Sequence, residues 1–297
     1  MKIALSLFIG MTVLICSGCR GHKTITPAFD EVVKADPPKP EVILQPGEAL
    51  ILMETTKGNI SIKLYGETPK HRDNFIKLIE KRFYDSLLFH RVIKNFVAQG
   101  GDPDSKTAKH DKQLGDGDVG YTVPAELYSH IFHKRGALGA ARESDFISPD
   151  RESSGCQFYI VVGKKWSDSL LNVQSKRIDK SKATNKIIKD PANKELIERY
   201  KKFIDKVPDS MKSVNTELDK LIAEELKNGT PHFFPGIQKF TYMNVGGTPH
   251  LDGGYTVFGE VTEGMDVVDA MTTVPTNMYD RPLTDIRIIS MKVIRKM

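Results

Sequence analysis

Apolar and polar positions alternate through Ala49–Thr55 and again through Asn59–Tyr65, and Lys57-Gly58 separates the two runs, a pattern that predicts a β-hairpin. The period then changes. Thr68 stands as a helix N-cap with Pro69 at the first helical position, and Phe75, Leu78, Ile79 and Phe83 fall on one helical face. Short apolar runs at Phe89–Val92, Phe96–Gln99, Ala137–Ala141, Gln157–Val162, Tyr255–Glu260 and Ile286–Val293 read as further strands. They are not regularly interleaved with helices, so the pattern predicts a mainly β fold of the barrel type rather than a parallel sheet.

Between Lys164 and about Asn244 the β pattern stops. Leu196, Ile197, Tyr200, Phe203 and Ile204 form one apolar stripe, Val214, Leu218, Leu221 and Ile222 another, with Pro208-Asp209 between them. The simplest reading is two amphipathic helices in a hairpin, an α-helical insertion at about 165–243 interrupting a domain of residues 48–297. Lys164 to Lys227 holds sixteen Lys/Arg against eleven Asp/Glu, and that excess of five equals the net charge of the whole 297-residue chain. Solvated helix faces ordinarily look like this; the other reading is a surface for anionic headgroups or for a protein partner of the insertion. No compact run of basic residues occurs elsewhere, so nucleic acid is not an expected partner.

The beginning of the chain carries a different signal. Lys2, the apolar run Ile3–Ile15, the small residues Ser17 and Gly18, and then Cys19 have the layout of an export signal over residues 1–18. The segment ending in Cys19 resembles a bacterial lipobox, which implies acylation of Cys19, palmitate included, and a membrane anchor. Pro27, Pro37, Pro38, Pro40 and Pro46 then make residues 19–47 a flexible, extended linker between lipid and domain. The expected location is the cell envelope, anchored to a membrane and facing the periplasm or exterior. With Cys16 removed and Cys19 acylated, Cys156 is the remaining thiol, so the fold is expected to rely on its core rather than on a disulfide.

Three ordered blocks carry the chemistry. The first is Phe89-His90-Arg91-Val92-Ile93-Lys94-Asn95-Phe96-Val97-Ala98-Gln99-Gly100-Gly101-Asp102, whose Arg, Phe and Gln can share one strand face. The second joins Gly136–Arg142 to Ser154–Ile160, and the third is His250–Glu260. Together they resemble the cyclophilin motifs in order. That resemblance covers about Ala49 to Ile294 apart from the insertion, and it implies an eight-stranded antiparallel cyclophilin-like barrel with two capping helices.

The activity it implies is peptidyl-prolyl cis/trans isomerisation, with proline-containing polypeptides as partners and no cofactor or metal. Rotation about an Xaa-Pro bond is slow because amide resonance imposes a barrier of about 20 kcal/mol, and crossing it breaks no covalent bond. Catalysis then means stabilising the twisted amide. The resemblance assigns Arg91, Phe96 and Gln99 to catalysis. It assigns Val97, Tyr159, Leu251 and Tyr255 to the pocket that grips the proline ring, and Ala141, Arg142 and Gln157 to the peptide chain beside it. His250 stands where many members carry the Trp that binds cyclosporin, so weak inhibition by that drug is expected. The motif blocks lie outside the insertion, so the barrel is expected to isomerise a short peptide without it. A different class of function stays open beside the enzyme: a non-catalytic chaperone or scaffold lipoprotein that binds proline segments.

Other candidates have plainer readings. His130-x-x-His133 has half the look of a metal site, without a nearby Cys or carboxylate pair to complete it. Cys156 reads as a small interior residue. Gly100-Gly101 and Gly246-Gly247 do not match a phosphate-binding loop.

Overall fold

The computed structural model describes residues 41–203 and 208–297. Cys19, the predicted signal peptide and most of the predicted linker therefore lie outside the described residues. In chain order the strands are β1 (Ala49–Thr55), β2 (Gly58–Leu64), β3 (Arg91–Ile93), β4 (Val97–Gly100), β5 (Thr122–Val123), β6 (Ala137–Ala140), β7 (Ser153–Ser154), β8 (Phe158–Val161), β9 (Val257–Glu263) and β10 (Ile288–Lys296). The α-helices are α1 (Pro69–Glu80), α2 (Asp168–Lys189), α3 (Lys194–Phe203), α4 (Pro208–Asn228), α5 (Gly236–Asn244) and α6 (Met265–Thr272).

Eight strands form one antiparallel curled sheet in the order β10-β1-β2-β9-β6-β8-β4-β3, and β5 pairs with β7 apart from it. The sheet's two edges are brought together by the segments that lead into them. The Phe89 N–H donates to Ile286 O at 2.9 Å, and the Ile288 N–H to Leu87 O at 2.8 Å. Curling in this way pairs backbone groups that an open edge would leave bare.

Strict alternation puts Ala49, Ile51 and Met53 of β1 and Ile60, Ile62 and Leu64 of β2 into the main core. Phe75, Ile76, Leu78 and Ile79 of α1 and Val268 and Met271 of α6 join the same core, so these two helices cap the sheet. Phe158 meets Phe75, Tyr84 and Phe89 edge-on, with ring centroids 5.5, 5.6 and 6.0 Å away. Each fully buried side chain of this size contributes ~2–3 kcal/mol through the surface it removes from water.

The start of α1 departs from its sequence signature. Thr68 occupies the N-cap position, but its hydroxyl makes no cap bond. Glu126 supplies the cap instead, accepting from the Lys70 N–H at 3.1 Å and the His71 N–H at 3.0 Å. Its carboxylate also bonds His71 Nδ1 at 2.7 Å, and His71 Nε2 lies 2.9 Å from Ser153 Oγ.

The segment between β8 and β9 holds four helices where the apolar stripes predicted two. The missing ones are α2 and α5. In α2, Ser167 caps the N-terminus and Leu171, Gln174, Ile178, Ala183 and Ile187 are buried, but Gln174 and the surrounding charges break the apolar stripe. Pro208 opens α4 rather than marking a turn, consistent with proline at the first helical position. At the other end of the domain, the last residues of the predicted linker are already docked: Leu44 is buried and the Gly47 N–H donates to Met297 O at 2.9 Å. Among the described residues no helix is long and apolar enough to cross a membrane.

Candidate active site

β4, β6 and β8 are buried on both faces, and alternate residues serve different clusters. Ala98, Leu138, Ala140, Phe158 and Ile160 point into the main core, whereas Val97, Ala137, Tyr159 and Val161 form a second cluster on the opposite face. Phe96, Ala141, Leu251 and Tyr255 pack against that second cluster, half-buried. The five residues predicted to grip a proline ring, Phe96, Val97, Tyr159, Leu251 and Tyr255, are thereby brought together.

Register aligns the polar residues with this apolar wall. Arg91 pairs with Gln99, Gln99 with Tyr159, Tyr159 with Gly139, and Gly139 with Val257, so one row crosses β3, β4, β8, β6 and β9. A slip of one residue in any strand would turn its member of the row to the other face. Gly139 must lack a side chain here, because a Cβ would overlap the end of the Tyr159 ring.

Arg91 is half-exposed, with Nε 3.5 Å from Asp280 Oδ2 and Nη1 donating to Gln99 Oε1 at 3.4 Å. Gln99 Nε2 donates to Gln157 Oε1 at 3.1 Å. Gln157 Nε2 in turn donates to Gly115 O and Gly117 O, both at 2.8 Å. These bonds tie a loop at 115–122 to the row and shape a cleft of about 480 Å³ beside the apolar wall. Gln99, Ala141, Arg142 and Gln157 line it, as do Asp116 and Tyr121 of that loop, which the sequence reading missed. The signal was the glycine spacing Gly115-x-Gly117-x-x-Gly120, which marks a tight loop but not its destination.

The rim is held by buried charge. Arg142 donates to Gly254 O at 2.5 Å and to Glu143 O at 2.7 Å, reaches Asp145 at 2.6 Å, and lies 4.5 Å from the Tyr255 ring centroid. Arg151 donates to Gly253 O at 2.6 Å and to Asp145 at 2.9 Å. Two guanidiniums therefore clamp the loop that presents Leu251 and Tyr255. His250 stacks on Phe96 with ring centroids 5.5 Å apart, and burial pushes its pKa down to about 4, with nearby His133 and Arg177 acting in the same direction.

His130 and His133 diverge. His130 is exposed and bonds Glu67 at 2.8 Å, whereas His133 is buried against Asp252 and Tyr159. Cys156 lies in the main core, where burial pushes its thiol up to about 11, far from the reactive thiolate range.

A single strand face that joins an arginine, two glutamines and a ring-lined apolar wall suits an extended peptide carrying a proline. The family model for cyclophilin-type peptidyl-prolyl cis-trans isomerases matches residues 50–194 and 234–293. The chain belongs to this family. Among relatives, a provisionally named peptidyl-prolyl cis-trans isomerase of Staphylococcus saprophyticus is 26% identical over 248 residues, 83% of this chain and 92% of its own length. The peptidyl-prolyl cis-trans isomerase-like 1 protein of Neurospora crassa is 24% identical over 247 residues, 83% of this chain and 94% of that protein. The cyclophilin-type isomerase of Cryptosporidium parvum superposes with a TM-score of 0.50 at 17% identity, covering 84% of this chain and 99% of that one, which supports the fold. The cyclophilin match leaves out residues 195–233, a shorter stretch than the predicted insertion.

Proposed function

We propose that this cyclophilin isomerises Xaa-Pro bonds in exported polypeptides, with Arg91 as the catalytic donor and the protein tethered to a membrane through a lipid on Cys19. The observation that carries the catalytic part is the row itself: Arg91 stands beside Gln99 at the edge of the apolar wall formed by Phe96, Val97, Tyr159, Leu251 and Tyr255. The wall holds the proline ring, while Gln99, Gln157 and the backbone at Ala141 and Arg142 hold the chain. As the amide twists, the proline nitrogen pyramidalises and gains a lone pair. A guanidinium fixed nearby donates to that lone pair more strongly than to the planar ground state, so it lowers the barrier. Arg91 is anchored at one side by Asp280 and by Gln99, which orients the fork without burying it.

The test is Arg91→Ala, with isomerisation followed by NMR exchange and peptide affinity by titration on the same folded protein. The rate should fall by roughly two decades or more, ~3 kcal/mol at 1.36 kcal/mol per decade, while affinity changes far less. Equal losses in rate and affinity would reduce Arg91 to a substrate-holding residue. The export and anchoring parts rest on Lys2, the apolar run Ile3–Ile15 and Cys19. An unmodified Cys19 in the mass spectrum of the native protein would remove them.

A further inference from the structure

The insertion meets the proline-gripping wall through a chain of buried polar groups. Tyr242 of α5 is fully buried, and its hydroxyl donates to Asp252 Oδ2 at 2.6 Å. Asp252 Oδ1 accepts from the His133 N–H at 2.9 Å and from His133 Nδ1 at 2.8 Å. In the neutral imidazole, donation from Nδ1 leaves Nε2 as the ring's acceptor, and it lies 2.9 Å from the Tyr159 hydroxyl. Burial raises both phenols well above their ordinary pKa, so each keeps the proton that it donates to its acceptor partner. Polarity therefore runs one way at each end: both tyrosines donate inward to an Asp–His centre.

The last member of the chain is a wall residue of the candidate site. The Tyr159 ring meets Tyr255 edge-on at 6.2 Å, and Gly139 gives it the room to reach His133. Asp252 directly follows Leu251, so it also anchors the loop that presents Leu251 and Tyr255. The α5 end is equally fixed. Tyr242 packs with Phe132, Phe234, Leu171 and Ile178, and Trp166 N donates to its carbonyl at 3.1 Å.

We propose that Tyr242 is a positioning residue of the site, setting the Tyr159 ring and the Leu251–Tyr255 loop through Asp252 and His133. The inference rests on the proposed proline-binding role of that wall. A wall that grips the ring equally in planar and twisted substrate contributes uniform binding, so its misplacement raises KM and spares kcat.

The test is Tyr242→Phe in the full chain, with a parent-like melt required before any reading. In the peptide-free protein the Tyr159 ring resonances should move while those of Phe89, in the main core, stay put. For an Xaa-Pro tetrapeptide, KM should rise ~3- to 10-fold with kcat within about twofold of the parent. In a Tyr159→Phe background, where the chain already ends at His133, Tyr242→Phe should change KM by less than about twofold. Unmoved Tyr159 resonances overturn the proposal, as does ring movement with unchanged KM, or an equal KM change in both backgrounds. If Tyr242→Phe does not fold, Asp252→Asn is read by the same resonances and titration, with the same outcomes deciding. If the parent itself fails to isomerise, the Arg91 mechanism falls, and the Tyr159 resonances with tetrapeptide titration still decide this chain of contacts.

Discussion

The curled sheet and the helical insertion are built on different physical terms. One continuous apolar core runs through β1, β2, α1, β3, β4, β6, β8, β9, α6 and β10, with Phe75, Tyr84, Phe158 and Phe258 at its aromatic centre. The insertion has two small cores instead: Ala183, Ile187, Leu196, Val214, Leu218 and Ile222 in one, and Leu171, Ile178, Phe234 and Tyr242, packed on Phe132 and Trp166, in the other. Clusters of that size support little independent stability. Much of what holds the insertion is borrowed from the site's own loops: Arg151 reaches Ser181, Asn185 donates to Pro149 O at 2.8 Å, and Phe146 stacks on Tyr200 at 3.9 Å. The dependence runs both ways, because the loop of these three contacts carries Arg142 and Asp145, and Tyr242 bonds Asp252 in the loop before β9. A region whose sequence looks detachable is therefore bonded to the loops around the proposed proline-gripping wall.

Deleting residues 167–245 and joining the ends with a Gly/Ser loop is the strongest way to break this picture. On sequence alone the barrel should isomerise a tetrapeptide without the insertion. The contacts point the other way, since the deletion strips cover from Phe132 and Trp166 and takes Tyr242 from Asp252 and Ser181 from Arg151. The shortened protein should melt ~10 °C or more below the parent, given 2–4 °C per kcal/mol at this size, and bind peptide weakly. A cooperative melt within a few degrees of the parent, with affinity kept, would make the insertion a passenger.

Single truncations sharpen the same contrast. Phe158→Ala should cost about 3–5 kcal/mol and lower the protection of every sheet amide, because its ring joins strands and α1. Leu218→Ala in α4 should cost about 2–3 kcal/mol, read mainly as faster amide exchange in α2, α3 and α4. Equal loss of protection in the sheet for both variants would show that this helical core unfolds only with the barrel.

What could be read in advance tracks sequence separation. Arg91, Phe96, Val97 and Gln99 lie within one short hairpin, whose register puts Arg91, Val97 and Gln99 on a common face, whereas Phe96, expected on that face, stands in the turn between the strands. The hairpin β1–β2 and the apolar face of α1 were legible for the same reason. Glu126 as the cap of α1 was not, because its partners lie 55 and 56 residues away. Nor was Gly139, whose need for an empty side follows from a cross-strand register that fixes what Tyr159 must reach past. The Tyr242–Asp252–His133–Tyr159 chain joins four separate segments, and although Tyr159 and Asp252 stand in motif blocks, nothing local to any segment tells that these four side chains meet. α2 was missed because Gln174 interrupts its buried stripe, so the apolar period fails in the middle of its buried face.

The smallest expected difference lies in ion pairs, and it tests whether burial is what separates the two regions. Glu260 of β9 bonds Lys134 at 2.6 Å and Lys63 at 3.2 Å with little of its side chain exposed. Burial alone would raise its pKa, but the hydrogen bonds and charges of Lys134 and Lys63 outweigh that and hold the carboxyl below its ordinary 4.5. Because the folded value lies below the unfolded one, the stabilisation is complete above the unfolded value and is lost as pH falls through the folded value. Glu225 of α4 meets Lys186 of α2 at 2.7 Å, a pair whose lysine is mostly in solvent. Glu260→Gln should therefore cost ~1–2 kcal/mol near neutral pH, with the deficit shrinking as the medium is acidified past the carboxylate range. Glu225→Gln should cost no more than ~0.5 kcal/mol at either pH. Urea unfolding of both variants at neutral and acid pH measures this directly. Equal costs at neutral pH would mean that the lysines around Glu260 are screened as fully as the one beside Glu225, and that the sheet surface next to the site is no more desolvated than an exposed helix pair.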